Sequence, residues 1–198
     1  MFSDGVFAIA ITLLIIEIKV PKHEDIEHYG GLYNSLLRLW PSYLSYILSF
    51  FVIGIYWSNH HWLFSFVRKT NHTFNLLNIF FLMTIAFLPY PTAVLGDYVL
   101  HVETRNAAVA FYCFGQMLPV PVILVLYLYA TRGHRLVDSN LSKKVINRQT
   151  IKIIAGLILI STATILAFNY PLVSIGLIVL HAIIFFLPPD KPVYNKAI

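Results

Sequence analysis

The sequence predicts an all-α membrane protein with six transmembrane helices per subunit. Hydrophobic residues make up 58% of the chain and charged residues 12%, too little polar surface for an ordinary soluble domain. The apolar residues also gather into long runs broken by short charged connections, at a mean hydropathy of +0.73. About 20 helical residues cross a hydrocarbon core about 30 Å thick. On that ruler a single transmembrane domain over residues 1–198 divides into spans near 2–19, 39–67, 74–95, 104–131, 149–168 and 171–188.

The first span opens on Phe2-Ser3-Asp4-Gly5 and continues through the apolar run Val6 to Ile18. No basic stretch precedes the run, so it reads as a retained helix and not a cleaved signal. A carboxylate at the membrane edge is costly unless partnered, which makes Asp4 a functional or architectural candidate. Ile9, Leu13 and Ile16 recur at spacings of four and three, so they share one helical stripe with Thr12 beside them. That stripe is suited to lining a passage.

The connection to the second span reads as a solvated loop followed by a short helix. Glu24, Asp25 and Glu27 offset Lys19, Lys22 and Arg38 there, so its field is weak. The second and fourth spans are long enough to tilt or to project from the bilayer. Near the end of the second lies Tyr56-Trp57-Ser58-Asn59-His60-His61-Trp62. Adjacent helical residues point about 100° apart, so His60 and His61 cannot aim at one partner, and neither has a histidine one turn away to form a metal-chelating pair. The economical reading is that one of these histidines, with Asn59 or with Asn78 of the third span, hydrogen-bonds Ser3 and Asp4 and pins the first span.

The third and fourth spans contain Leu88-Pro89-Tyr90-Pro91 and Leu118-Pro119-Val120-Pro121. These lie at different depths, so they read as packing kinks and not as the matched broken helices of an inverted-repeat transporter. Pro171, after Asn169-Tyr170, is placed to start the sixth span. His181 reads as a structural histidine, and Cys113 as a small buried hydrophobe without a disulfide partner.

Orientation follows from the basic residues. Arg68, Lys69, Arg132, Arg135, Lys143, Lys144, Arg148, Lys152, Lys191 and Lys196 fall on one side, against Lys19, Lys22, Arg38 and Arg105 on the other. Both termini are therefore expected to face the cytoplasm. The net charge of +5 reads as a topology signal beside anionic membrane lipid, not as nucleic-acid binding.

Within the spans the acids are Asp4 and Glu17, both near the ends of the first. Ion-coupled transporters usually carry acids or histidines at mid-membrane, so that class is disfavoured. The Thr-Val-Gly-Tyr-Gly filter and arginine ladder of familiar six-helix potassium channels are also absent from the sequence. It contains no nucleophile elbow, His-Glu-x-x-His motif or phosphate-cradling glycine loop. No enzymatic activity, metal or cofactor is expected.

Three segments in order, Phe2-Ser3-Asp4-Gly5, Gly54-Ile55-Tyr56-Trp57-Ser58-Asn59-His60-His61 and Ile85-Ala86-Phe87-Leu88-Pro89-Tyr90-Pro91-Thr92, resemble the bacterial members of the transmembrane protein 175 family, the group containing the lysosomal potassium channel. The resemblance is specific over the first half and rests mainly on hydropathy beyond it. It implies a homotetramer of six-helix subunits in a bacterial inner membrane, with the first helix of each lining a central pore that has no carbonyl filter. Potassium and other monovalent cations would be the permeant species. Carried onto this chain, it makes Ile9 the hydrophobic constriction, continued by Leu13 and Ile16. Thr12 could then offer a ring of hydroxyls to the ion. Phe2, Ser3, Asp4 and Gly5 would join Trp57, Asn59, His60, His61 and Asn78 in a structural network. The family pattern also has an arginine four residues ahead of the motif's phenylalanine, a position upstream of Met1. The alternative reading is a secondary transporter or a proton pathway through the histidines of the second span.

Overall fold

The computed structural model describes residues 2–187 and 193–194. Pro188, where the sixth span was expected to end, and the basic residues Lys191 and Lys196 lie outside the described residues. Helix α1 (Phe2–Ile16) stops short of the expected 19 because the Ile18 N–H folds back onto the Ile15 carbonyl at 3.2 Å and Lys19 turns aside to Asp97.

The expected single short helix in the following connection is a pair, α2 (His23–His28) and α3 (Leu32–Arg38). Gly30 and Gly31 separate them at φ +73° and +124°, backbone conformations that glycine reaches at no steric cost. Helix α4 (Trp40–Ser65) then leaves α3 at 46°, with Pro41 in its first turn where no N–H is needed.

Asn71 caps α5 (His72–Phe87) by accepting the Phe74 N–H at 2.9 Å. Leu88 keeps helical angles, so α6 (Pro89–Tyr98) continues α5 as one length of 27 residues. Helices α7 (Arg105–Met117) and α8 (Pro119–Thr131) likewise fall within the stretch Arg105–His134. Each proline opens the second half of its length and so interrupts the hydrogen bonding without ending the helix. Helix α9 (Lys143–Leu166) begins before the expected 149, because hydropathy marks only the apolar part of a helix and its polar first turns are helical too. Helix α10 (Pro171–Phe186) starts at the expected proline.

Among the described residues, His72–Tyr98, Arg105–His134 and Lys143–Leu166 are each long and apolar enough to cross a membrane, and α3 with α4 qualifies as a bent pair. The apolar helices α1 and α10 are shorter, 15 and 16 residues, or about 22–24 Å at 1.5 Å per residue.

Helix α4 is the hub, packing on α6, α1 and α10. Gly96 sets its approach to α6: a Cβ there would lie 2.9 Å from the Ser42 Cα, so only a missing side chain permits that spacing. Hydroxyls join α4 to α6 and to α7 internally. Ser49 Oγ lies 2.7 Å from Thr92 Oγ1 and 3.1 Å from the Tyr112 hydroxyl, and the Tyr56 hydroxyl donates to the Gln116 carbonyl at 2.6 Å. The core around them is aromatic and aliphatic, including Phe7, Leu14, Ile53, Phe81, Ile85 and Tyr127.

Candidate permeation site

Helix α1 has two unlike faces. Phe7, Ala10 and Leu14 are 2% exposed or less, locked against α4 and α5. On the other face Ile9, Leu13 and Ile16 are 61%, 40% and 70% exposed. Thr12 is exposed beside them, and its hydroxyl donates to the Ala8 and Ile9 carbonyls at 2.9 Å. With its proton held by the backbone, the Thr12 oxygen has lone pairs left to offer outward. The four residues picked from the sequence as a stripe thus share one uncovered face of a single subunit.

The packed face is held at its start by polar contacts. His60 Nε2 donates to Asn78 Oδ1 at 2.8 Å, and Asn78 Nδ2 donates to Ser3 Oγ at 3.1 Å. His60 is 4% exposed and stacks between Phe64 and Phe81 at centroid distances of 4.3 and 5.4 Å, with Phe7 of α1 at 5.6 Å. These rings fix the imidazole plane, and Asn78 fixes which nitrogen carries the proton.

Three details differ from the sequence reading. Among the described residues it is the Trp57 indole and not a histidine that hydrogen-bonds Asp4, its Nε1 donating to Oδ1 at 3.1 Å. Trp57 precedes His60 by three residues and so shares its side of α4, one turn nearer Asp4. Asn59 turns away from α1, and its amide donates to the Ile55 and Phe185 carbonyls at 2.9 and 3.2 Å. His61 lies exposed against the Trp57 ring at 5.7 Å. Of the two asparagines and two histidines considered, the fold brings Asn78 and His60 to α1. Phe2 and Gly5 both lie exposed on α1.

A contact that the sequence did not signal holds the other end of α1. Lys19 Nζ donates to Asp97 Oδ2 at 2.5 Å, joining the turn after α1 to α6. The carboxylate holds the Lys19 ammonium above its ordinary pKa, first through the hydrogen bond and then through its charge. The partners are 78 residues apart, a separation at which no sequence pattern reports contact. Among the described residues no cluster of three histidine, cysteine or acidic side chains could hold a metal ion.

The model of the family described as endosomal/lysosomal potassium channel TMEM175 matches residues 1–89. A potassium channel of Chamaesiphon minutus is 41% identical over 187 residues, covering 94% of this chain and 91% of its own. The chain belongs to the TMEM175 family. It is an integral membrane protein with a nearly all-helical channel fold: the crystal structure of a lysosomal potassium-selective channel TMEM175 homologue from the same organism superposes with a TM-score of 0.84 at 38% identity, covering 96% of this chain and 95% of that one. The family's description is that of an ion channel, which is not an enzyme class. A Gallus gallus endosomal/lysosomal proton channel TMEM175 is 36% identical over 117 residues, covering 57% of this chain and 23% of that protein.

Proposed function

We propose that this protein is a potassium-permeable cation channel: a homotetramer in which α1 of each subunit faces a shared axis and rings of Ile9, Leu13 and Ile16 close the path by excluding water. Thr12 contributes a ring of oxygens to a partly dehydrated ion, and no carbonyl filter is used. The network of Ser3, Asp4, Trp57, His60 and Asn78 holds α1 in place and does not touch the ion. The channel sits in a bacterial inner membrane with both termini cytoplasmic. One observation supports this reading above the others: α1 is fastened along one face while its apolar stripe with Thr12 stays outward, where further copies of the chain would enclose it.

The test is flux from liposomes reconstituted with the protein. Ile9→Ala and Ile9→Asn widen or wet the constriction, and each should raise cation current or relax selectivity. Unchanged conductance in both variants refutes the assignment.

The relative named a proton channel supports a second reading, in which protons use the same path. A pH-sensitive dye in the same liposomes separates the two, because a proton current survives removal of potassium and sodium. Saturating flux without unitary steps would instead support a carrier.

A further inference from the structure

Beside α4 the bundle holds a cavity walled by α4, α5, α8, α9 and α10. Val120, Ile123 and Ile153 form much of its apolar wall, and Asn59, Trp62 and His181 bring polar groups to it. Each of those three carries a buried polar atom with no hydrogen-bond partner among the described residues: Asn59 Oδ1, Trp62 Nε1 and His181 Nε2. The Asn59 amide nitrogen is committed to two carbonyls, which fixes the amide's orientation and leaves Oδ1 as an acceptor. Trp62 Nε1 can only donate, and His181 Nε2 takes either role according to its tautomer. His181 is 5% exposed, so bulk solvent does not satisfy it. Gly156 packs closely on this corner of the bundle, since a Cβ there would lie 3.2 Å from that nitrogen and 2.5 Å from Phe185 Cε2.

Size and chemistry together select the occupant. The volume open to the centre of a water molecule is about 40 Å³. One buried water needs about 10–15 Å³ on that measure, whereas the engineered cavity that binds benzene measures about 150 Å³. Two or three waters fit, and an aromatic ligand does not. Cavities that stay dry are lined by apolar groups, while this one supplies a donor, an acceptor and a nitrogen of either kind, the partners a buried water uses.

We propose that two or three resident water molecules bind in this cavity, hydrogen-bonded to Asn59 Oδ1, Trp62 Nε1 and His181 Nε2, and that they complete the polar joint between α4 and α10. Successive residues of α4, which point about 100° apart, then serve different neighbours. His60 holds α1 through Asn78, and Asn59 holds α10 through the Phe185 carbonyl and the water.

The two buried histidines provide a matched test. His60 and His181 are 4% and 5% exposed, but His60 is packed between rings and bonded to Asn78, whereas His181 lines the cavity. X-ray radiolysis makes hydroxyl radicals where water lies, and mass spectrometry of the full chain in detergent reads which side chains they oxidise. His181 is expected to be oxidised several-fold faster than His60, and equal rates overturn the proposal. In Ala182→Leu, which narrows the cavity, the His181 rate should fall toward that of His60 while His60 is unchanged. An unaltered His181 rate in that folded variant also overturns the proposal, and the comparison in the unmodified protein decides the matter if the variant does not fold.

Discussion

Replacing Asn78 by alanine tests the polar attachment of α1 most directly. The substitution removes hydrogen bonds of 2.8 Å to His60 and 3.1 Å to Ser3. Side-chain hydrogen bonds between membrane helices average about 0.6 kcal/mol each, so the two account for about 1.2 kcal/mol. The larger loss comes from His60, which is 4% exposed and is left with a buried N–H and no acceptor, at a cost of about 1–3 kcal/mol. Together these give about 2–4 kcal/mol. At about 2–4 °C per kcal/mol for a chain of this size, Tm should fall by roughly 5–15 °C. Ser3→Ala gives up only the weaker bond and should cost about 0.6 kcal/mol. Heating detergent-solubilised protein and measuring the fraction that still elutes intact by size exclusion reads both. The double variant should fall short of additivity by about 0.5 kcal/mol or more, because the two residues share one bond. A loss under about 1 kcal/mol in Asn78→Ala, or strict additivity with Ser3→Ala, refutes the view that this chain of contacts fastens the helix.

Three further outcomes follow from the same geometry. Leu14, fully buried on the packed face of α1, should cost about 2–5 kcal/mol when cut to alanine. Ile9→Ala, on the face that is 61% exposed in the single subunit, gives up no packing within the subunit and should cost less than Leu14→Ala, and equal losses in the two variants would show that Ile9 is packed within the subunit. Gly156→Val places a Cβ 2.5 Å from Phe185 Cε2, so it should destabilise by about 1–3 kcal/mol; Phe185→Leu in the same chain should restore part of that, and no rescue would locate the clash elsewhere. For Lys19 the folded pKa lies above its ordinary 10.5, so any stability from the Asp97 pair is fully present below that value and is lost as pH rises through the folded pKa. Its side chain is 71% exposed, which limits the contribution to about 0–1 kcal/mol. The Tm gap between the parent and Lys19→Met should therefore be small, constant from about pH 7 to 9, and closed at higher pH; a gap that widens with alkalinity contradicts the pairing.

The stripe of Ile9, Thr12, Leu13 and Ile16 was legible in the sequence because helical periodicity is local: residues three and four apart share a face whatever surrounds them. Where apolar helices lie was legible for a similar reason, since runs of hydrocarbon side chains identify the part of a helix that lipid will accept. Their ends were not. α9 begins in Lys143-Lys144, polar residues that hydropathy cannot distinguish from a loop, and α1 ends early because of a turn and a distant carboxylate. The proline pairs show the same limit, since Leu88 remains helical and α6 continues α5.

Within the polar network, the sequence narrowed the partners to His60 or His61 and to Asn59 or Asn78, and could go no further. Which member of each pair meets α1 depends on the rotation of α4 about its axis and on its distance from α5, both set by close packing such as that at Gly96. Trp57 as the donor to Asp4, Asp97 as the partner of Lys19 and the cavity beside His181 have the same origin. By itself the sequence determined which residues are hydrophobic enough to enter a membrane and which of them share a helical face, because both properties belong to a few consecutive residues. The tertiary structure alone decided which polar atoms meet and which buried ones are left to other partners, because those contacts join residues tens of positions apart and depend on helix rotations that only the whole packed bundle fixes.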